Sequence, residues 1–234
     1  AKYSQIRVYD KKNEGVSIAR NIALKHAHGD YIYFVDSDDI VMSEALMILV
    51  KAMESNKTTF VKSDFLPIDE QGKQVFINKK QVIRRRYDGK VMDSEKFFKK
   101  ILMKEYFLWT CLFRKDIIEK YHILFIPHCR LMEDAAFVVD YLLYSDRNVY
   151  KDACVYGYRK YEGTVSAVNK DYTEDMMMVL KHTGRHKANL MMLLNSQMQK
   201  KHNQKYGSWW LRNTLKIENL FSRFYLLFKY QIEK

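Results

Sequence analysis

The chain has 234 residues, 47% of them hydrophobic and 29% charged, which suits one folded domain with a sizeable core plus an appendage and excludes a disordered polymer. No apolar run reaches the length of a transmembrane helix, no secretory signal is legible, and the absence of a P-loop and of G-x-G-x-x-G argues against an ATP-dependent kinase or a dinucleotide enzyme. The net charge of +12 turns the surface toward polyanions, acidic lipid or phosphorylated ligands, and three scattered cysteines without a C-x-x-C read as free thiols of a reducing cytosol.

The first element is a helix after Asn13-Glu14-Gly15, with Ser17 expected as its N-cap, Ile18, Ile22 and Ala23 on one face, and Gly29-Asp30 as its stop. Tyr31-Ile32-Tyr33-Phe34-Val35 follows as a continuous apolar run, the pattern of a strand covered on both faces in a parallel α/β sheet. It ends in Asp36, Ser37, Asp38 and Asp39. Ligands of open α/β sheets bind at the carboxyl ends of strands. Carboxylates crowded there repel one another unless a cation sits among them, and a hard divalent ion is the usual one. Asp36-Ser37-Asp38 is a D-x-D motif that can hold Mg²⁺ or Mn²⁺ and so neutralise a diphosphate leaving group. The same three residues taken alone equally suit a solvated loop or a cap.

Ser43 to Asn56 reads as a capped helix with Leu46, Leu49, Val50 and Met53 on one face. Thr59 to Ser63 reads as a strand, and Phe65 to Asn78 as a hairpin around Asp69-Glu70-Gln71-Gly72. Arg84-Arg85-Arg86 suits a solvated loop or a face toward an acidic acceptor or lipid phosphate. Asp93 to Lys104 reads as a capped helix. Glu133-Asp134 opens an amphipathic helix through Ala135, Phe137, Val138, Tyr141 and Leu142, where negative charge favours the dipole. Asn148 to Lys160 is strand-like.

From about Tyr172 two long helical stretches are expected, Thr173 to Lys205 and Ser208 to Lys234. The second sets Trp209, Trp210, Phe221, Phe224 and Phe228 among Arg212, Lys216, Arg223 and Lys229. That pattern suits a helix lying on an anionic membrane, or a helical hairpin packed on the rest of the fold. His182 and His186 are spaced i,i+4, but no third ligand accompanies them, so they are not read as a zinc site.

Several blocks fall in one order and spacing: Asn13-x-Gly15, Ala19-Arg20-Asn21, Gly29-Asp30-Tyr31 and Phe34-Val35-Asp36-Ser37-Asp38-Asp39. Together they resemble family 2 of the inverting glycosyltransferases, which have the GT-A fold. Trp109-x-x-Leu112-Phe113-Arg114, Glu133-Asp134-x-x-Phe137 and Tyr156-x-Tyr158-Arg159 with Ser166 look like that family's later landmarks. The resemblance runs from about Ile6 to Ser166. It implies an α/β fold with a GT-A-like mixed sheet and flanking helices over 1–170, and a C-terminal helical region over 171–234.

By the same resemblance Asp38 ligates the metal on the donor diphosphate, with Asp36 beside it and facing the donor ribose or sugar. Asp39 lies near the donor sugar. Arg20 lines the nucleotide pocket, and Asn13 and Gly15 shape the turn before it. Asp134 is the expected base, deprotonating an acceptor hydroxyl that attacks the anomeric carbon with inversion and no covalent intermediate. Trp109 reads as a core aromatic. The implied cofactor is Mn²⁺ or Mg²⁺. The implied partners are a nucleotide-sugar donor and a glycan or lipid-linked acceptor, with no nucleic acid. The expected location is the cytoplasm, with peripheral membrane contact through the basic aromatic C-terminal helices.

The chain departs from the family pattern at Cys111, where a Lys is common, and at Met132, where Gly is common. Nothing matches the family's opening strand, helix and base-gripping second strand, so at least one βαβ unit of ~30 residues is expected to be missing from a truncated chain. Two other readings stand beside the first. A strand followed by D-x-D also opens haloacid-dehalogenase-like phosphatases, where the first Asp is a nucleophile. A basic fragment could also serve without catalysis, as a scaffold or membrane-surface module.

Overall fold

The computed structural model describes residues 4–75, 79–159 and 173–183. Their helices and strands are, in chain order, α1 (Val16–His26), β1 (Tyr31–Tyr33), β2 (Ile40–Val41), α2 (Ala45–Ser55), β3 (Phe60–Ile68), α3 (Lys79–Arg84), β4 (Val91–Met92), α4 (Ser94–Phe97), β5 (Cys111–Arg114), α5 (Lys115–Lys120), α6 (Glu133–Leu142), β6 (Asn148–Arg159) and α7 (Thr173–Thr183). The strands form one mixed sheet in the order β1-β5-β3-β6-β2, with β4 also on β6. Only β3 and β6 run parallel; the other pairs are antiparallel. This is the α/β architecture with flanking helices that the motifs imply.

Side chains alternate across the central strands, as pleating requires. On β5, Cys111 and Phe113 enter one core while Leu112 enters the other. Phe60, Phe113 and Tyr150 pack with Phe97, Phe137 and Tyr141 on the first face. Val61, Leu112 and Val149 pack with Ala45, Leu49 and Met53 of α2 on the second. The strands buried on both faces are therefore β3, β5 and the start of β6. The run at Tyr31–Val35 is covered less completely. Its strand covers three residues, pairs antiparallel with β5 at the margin of the described sheet, and leaves Val35 52% exposed. Ile32 and Phe34 are buried in the first core, while Tyr31 and Tyr33 are half-buried against the second, so the run is covered on both faces as far as Phe34.

Other local expectations shift for similar reasons. Ser17 lies inside α1; the N-cap position is Gly15, with no side-chain cap. The inward face of α1 is Ser17, Arg20, Asn21 and Leu24 (i, i+3, i+4, i+7) rather than Ile18, Ile22 and Ala23. Three of those four are polar, which hides the face from a hydrophobicity pattern. α2 buries Leu49 and Met53 as expected but leaves Leu46 exposed, and it begins at Ala45 without a side-chain cap. β3 extends to Ile68 before the tight turn at Asp69–Lys73, where the Asp69 and Gly72 backbones and the Asp69 carboxylate close the loop. Asp93 caps α4 by accepting from the Lys96 N–H at 2.8 Å. The helix then widens into a π turn over Phe98–Leu102 and stops at Met103 and Lys104, both with positive φ.

The largest correction concerns Arg84. It is neither a solvated loop residue nor an acceptor-facing one, because it is fully buried. Its Nη1 donates to Asp64 at 2.6 Å, its Nη2 to Glu105, and its Nε to the Ile101 carbonyl at 2.6 Å. Lys62, also fully buried, donates to the Thr110 hydroxyl at 2.6 Å, and burial lowers its pKa. Tyr150 donates to the other oxygen of Asp64. Burial opposes the charge on Glu105, but Lys62, Arg84 and Lys80 outweigh it and hold that carboxyl below its ordinary range. Arg85, by contrast, is a surface residue paired with Asp152.

α7 packs against α6. Asp175 is buried and accepts from the Arg130 backbone N–H at 2.7 Å and from its guanidinium at 3.1 Å. His182 Nε2 meets Asp140 Oδ2 at 2.6 Å, and Val179 joins the main core. His186, Ser166, Lys160, 76–78 and the tryptophan-bearing stretch around Trp209 lie outside the described residues. Among the described residues no helix is long and apolar enough to cross a membrane.

Candidate functional site

The site begins in the turn before α1. Asn13 Oδ1 accepts from the Gly15 N–H at 3.2 Å, and Gly15 has φ of 91°, a conformation that side-chain-bearing residues rarely adopt. That turn launches α1 with its polar face inward. Ser17 donates to the Cys129 carbonyl at 2.7 Å. Asn21 clamps Phe125 from both sides, donating to its carbonyl at 2.9 Å and accepting from its N–H at 2.8 Å. Arg20 then lies over the Phe125 ring, 5.4 Å from its centroid, a cation–π contact.

Arg20 joins the two acidic blocks. Its Nη2 is 3.0 Å from Asp36 Oδ1 and its Nη1 is 2.9 Å from Glu133 Oε1. The guanidinium is only 16% exposed, so these pairs are shielded more than ordinary surface ion pairs. Residues 16 and 113 positions away along the chain thus meet on one cation.

Four aromatic rings underlie this arrangement. Phe34 packs edge-on against Phe113, Phe125 and Phe137 at 5.9, 5.4 and 5.6 Å. Phe125 and Phe137 are stacked at 4.2 Å. Phe34 is two residues before Asp36, and Phe137 three residues after Asp134. One aromatic cluster therefore seats the strand end, the arginine and the head of α6 together.

The Asp36–Asp39 turn is closed by the Asp39 N–H on the Asp36 carbonyl at 3.3 Å. β6 braces it from behind. The Tyr156 hydroxyl accepts from the Asp36 N–H at 3.0 Å and also bonds the Asp39 carboxylate. The Arg159 N–H donates to Asp39 Oδ1 at 2.7 Å, and its Nε to the Asp38 carbonyl at 3.0 Å. Burial raises the pKa of Asp39. The bonds from Arg159 and Tyr156 offset part of that, while Asp38 and Asp36 add to it. Gly157 lets β2 lie this close, since a Cβ there would meet Ile68, Met42 and Ile40 at 3.0–3.4 Å. Asp38 itself is exposed at the tip of the turn.

On the opposing element, α6 starts at Met132 with φ of 65°, the left-handed conformation usually given to glycine. This accounts for Gly being the common residue before the acidic pair, and Met132 adopts the same backbone at a steric cost. Asp134 Oδ1 accepts from the Ala135 N–H at 2.6 Å. Burial and the neighbouring Glu133 push the Asp134 carboxyl up to about 7, with Ala135 and Arg20 pulling the other way. Burial also raises Glu133, against Arg20. A carboxyl poised near 7 has the affinity a general base needs at neutral pH.

The residues fit a hard divalent ion. Asp36, which pairs with the Arg20 guanidinium, and Asp38 are two carboxylates on the same turn, and their donors are all oxygen. Among the described residues no group of three or more His, Cys, Asp or Glu forms a protein-only cage. Mg²⁺ characteristically takes one or two carboxylates and fills its shell with water and phosphate oxygens. Cys111, the other departure from the family pattern, is buried beside Lys62, its cross-strand partner on β3, and burial raises its thiol pKa. Trp109 is buried between Phe107, Tyr156 and Tyr158, stacked at 4.7, 4.6 and 5.3 Å, as a core aromatic should be.

Three bracing residues escaped the sequence reading as site members: Glu133 as the partner of Arg20, Tyr156 behind the turn, and Arg159 across it. The Tyr156-x-Tyr158-Arg159 landmark was the available signal for the last two.

The family model described as "Glycosyl transferase family 2" matches residues 1–122, just over half of the chain. The matched part contains the N-x-G, A-R-N and D-x-D blocks; Glu133-Asp134 lies beyond it. The chain is 27% identical over 176 residues to the uncharacterized glycosyltransferase EpsJ of Bacillus subtilis (strain 168), covering 70% of this chain and 48% of that protein. It is 27% identical over 138 residues to the poly(ribitol-phosphate) beta-N-acetylglucosaminyltransferase TarP of Staphylococcus aureus (strain N315), covering 58% and 39%. The chain thus spans about half or less of the length of these relatives. Its fold is similar to that of S. aureus TarS 1-349 in complex with UDP-GlcNAc, with a TM-score of 0.63 at 20% sequence identity over 84% of this chain and 55% of that one.

Proposed function

The chain belongs to glycosyl transferase family 2, and from that premise we propose that it transfers a sugar, with inversion, from a nucleotide-sugar donor to an acceptor hydroxyl of a cell-envelope glycan. One observation carries the reading: Arg20 bridges Asp36 and Glu133 at 3.0 and 2.9 Å, which supports reading the D-x-D turn and the acidic head of α6 as one site. Separately, an acidic strand end and an acidic first turn are ordinary features. Together they supply a place for a charged leaving group and a base opposite it.

In this reading the donor lies against the Asp36–Asp39 turn, with Arg20 beside the nucleotide and Asn13 and Gly15 fixing the turn that aims α1. Asp38 and Asp36 would hold Mn²⁺ or Mg²⁺, which when bound neutralises charge on the diphosphate leaving group. Asp39 is held by Arg159 and Tyr156 and keeps the turn in shape beside the donor sugar. Asp134, ionised, takes the proton of the acceptor hydroxyl. The acceptor oxygen forms its bond to the anomeric carbon as the bond to the diphosphate oxygen breaks, and the electron pair leaves with the nucleotide. Base and leaving group stand on opposite faces, so no covalent intermediate is needed.

TarS is seen with UDP-GlcNAc, and TarP is named for N-acetylglucosaminyl transfer to poly(ribitol-phosphate). These names support a uridine-linked donor and a glycan or lipid-linked acceptor. The free thiols of Cys111, Cys129 and Cys154 support a reducing, cytoplasmic setting. A peripheral membrane contact through the basic aromatic part of the C-terminal region, residues 171–234, and the division of the chain near residue 170 remain part of the same proposal.

The test is donor turnover. UDP release from UDP-GlcNAc and related UDP-sugars is followed with Mn²⁺ and with EDTA. Metal-dependent release that Asp134→Asn abolishes supports the reading. Phosphate release from a simple phosphomonoester, with no use of nucleotide sugars, contradicts it.

A further inference from the structure

Arg20 does more in this structure than line a nucleotide pocket. It is a single, 16%-exposed guanidinium with one nitrogen on a carboxylate of the donor turn and another on the residue next to the base. It cannot drift freely, because Phe125 lies beneath it and Asn21, the next residue of α1, locks the Phe125 backbone on both sides. A fixed cation shared by two carboxylates is divided between them. Whatever changes the charge on one partner changes how firmly the arginine sits on the other.

We propose that Arg20 is a positioning residue that couples the donor turn to the acidic pair of α6, competing with the divalent cation for Asp36 and shifting toward Glu133 when that cation arrives. The inference rests on the reading of Asp36 and Asp38 as the metal-holding residues. With the donor turn empty of metal, Arg20 neutralises Asp36 and keeps the turn from self-repulsion. With metal present, Asp36 no longer needs the guanidinium, and Glu133 receives more of it. The head of α6 is thereby drawn into its working arrangement only when the donor's counter-ion is in place. The chemistry is a charge exchange at one side chain, and the two-ended geometry of guanidinium makes it possible. A lysine has one ammonium and cannot span the same two carboxylates.

The experiment is a double-mutant cycle read by Mn²⁺ affinity, titrated by electron paramagnetic resonance with and without UDP, on the full chain. Arg20→Gln removes the competitor from Asp36 and should tighten Mn²⁺ binding about tenfold. Glu133→Gln leaves Arg20 wholly to Asp36 and should weaken Mn²⁺ binding about threefold, although Glu133 is not among the metal-holding residues. In the Arg20→Gln background the Glu133 substitution should have no effect, because the coupling runs through the missing arginine. Thermal melts confirm that each variant is folded. If the glutamine variant does not fold, Arg20→Met, which keeps the apolar stem over Phe125 and removes the charge, carries the same test, and Glu133→Gln should be silent there too. Unchanged Mn²⁺ affinity in Arg20→Gln, or an equal effect of Glu133→Gln in both backgrounds, overturns the coupling and leaves the metal reading standing. Failure of the unaltered chain to bind Mn²⁺, with or without UDP, overturns both.

Discussion

Asp134 carries the chemistry of the account, and two opposite pH dependences follow from its raised carboxyl. Turnover should climb as pH rises through about 7, when the group ionises and can accept a proton. Stability should move the other way. The folded chain holds this proton more tightly than the unfolded chain, so ionisation between about 4 and about 7 costs folding free energy. Asp134→Asn should therefore raise the melting temperature at pH 8, change it little at pH 4, and lower turnover by ~10²–10⁴-fold while sparing donor binding. Melting curves and pH–rate profiles of the two proteins check this. A variant with normal turnover removes Asp134 from the role. The two aspartate blocks were legible because motif and position coincide: carboxylates where an apolar strand ends, and a Glu-Asp pair at a helix start. The arginine between them was legible as a position only. Its partners lie 16 and 113 residues away, and no local pattern reports who will face whom.

At the scale of elements, the sheet's core layers depend on the buried cluster around Arg84. Removing its charge takes the shared donor from Asp64 and Glu105 and leaves only Tyr150, Lys62 and Lys80 beside them. Arg84→Met should destabilise the chain by about 3–5 kcal/mol, as breaking buried ion pairs does. Chemical denaturation measures it, and a loss below about 1 kcal/mol would show that the cluster relaxes to water. Sequence reasoning missed this because Arg84-Arg85-Arg86 reads as one solvated run. The structure splits it, since Arg84 ends α3 facing inward while Arg85 faces Asp152. α7 depends on fewer contacts. Asp175→Ala removes the acceptor for the Arg130 N–H and should cost about 1 kcal/mol. Amide exchange in α7 should rise while exchange in β3 and β5 stays unchanged. Similarly, the apolar run before the D-x-D motif correctly announced a strand but not its neighbour. Periodicity reports which faces are covered, and the antiparallel pairing of β1 with β5 is decided by the rest of the chain.

At the scale of the whole molecule, the mixed sheet gives the site two independent supports. β6 braces the donor turn through Tyr156 and Arg159, and the shared aromatic cluster under Phe34 and Phe137 carries α6. The fold class was readable because strands, helices and ligand-end carboxylates followed one another in a single order. Where the elements sit in the sheet was not, since β5 and β6, late in the chain, insert between strands that come early. The net charge of +12 agrees with a diphosphate-bearing ligand but does not select one. The most direct measurement of the central claim is a calorimetric titration of UDP into the chain, with and without Mn²⁺, beside Asp38→Ala. The account predicts UDP binding that requires Mn²⁺ and is lost in Asp38→Ala. Equal UDP binding with and without the metal, or binding that survives Asp38→Ala, would contradict it.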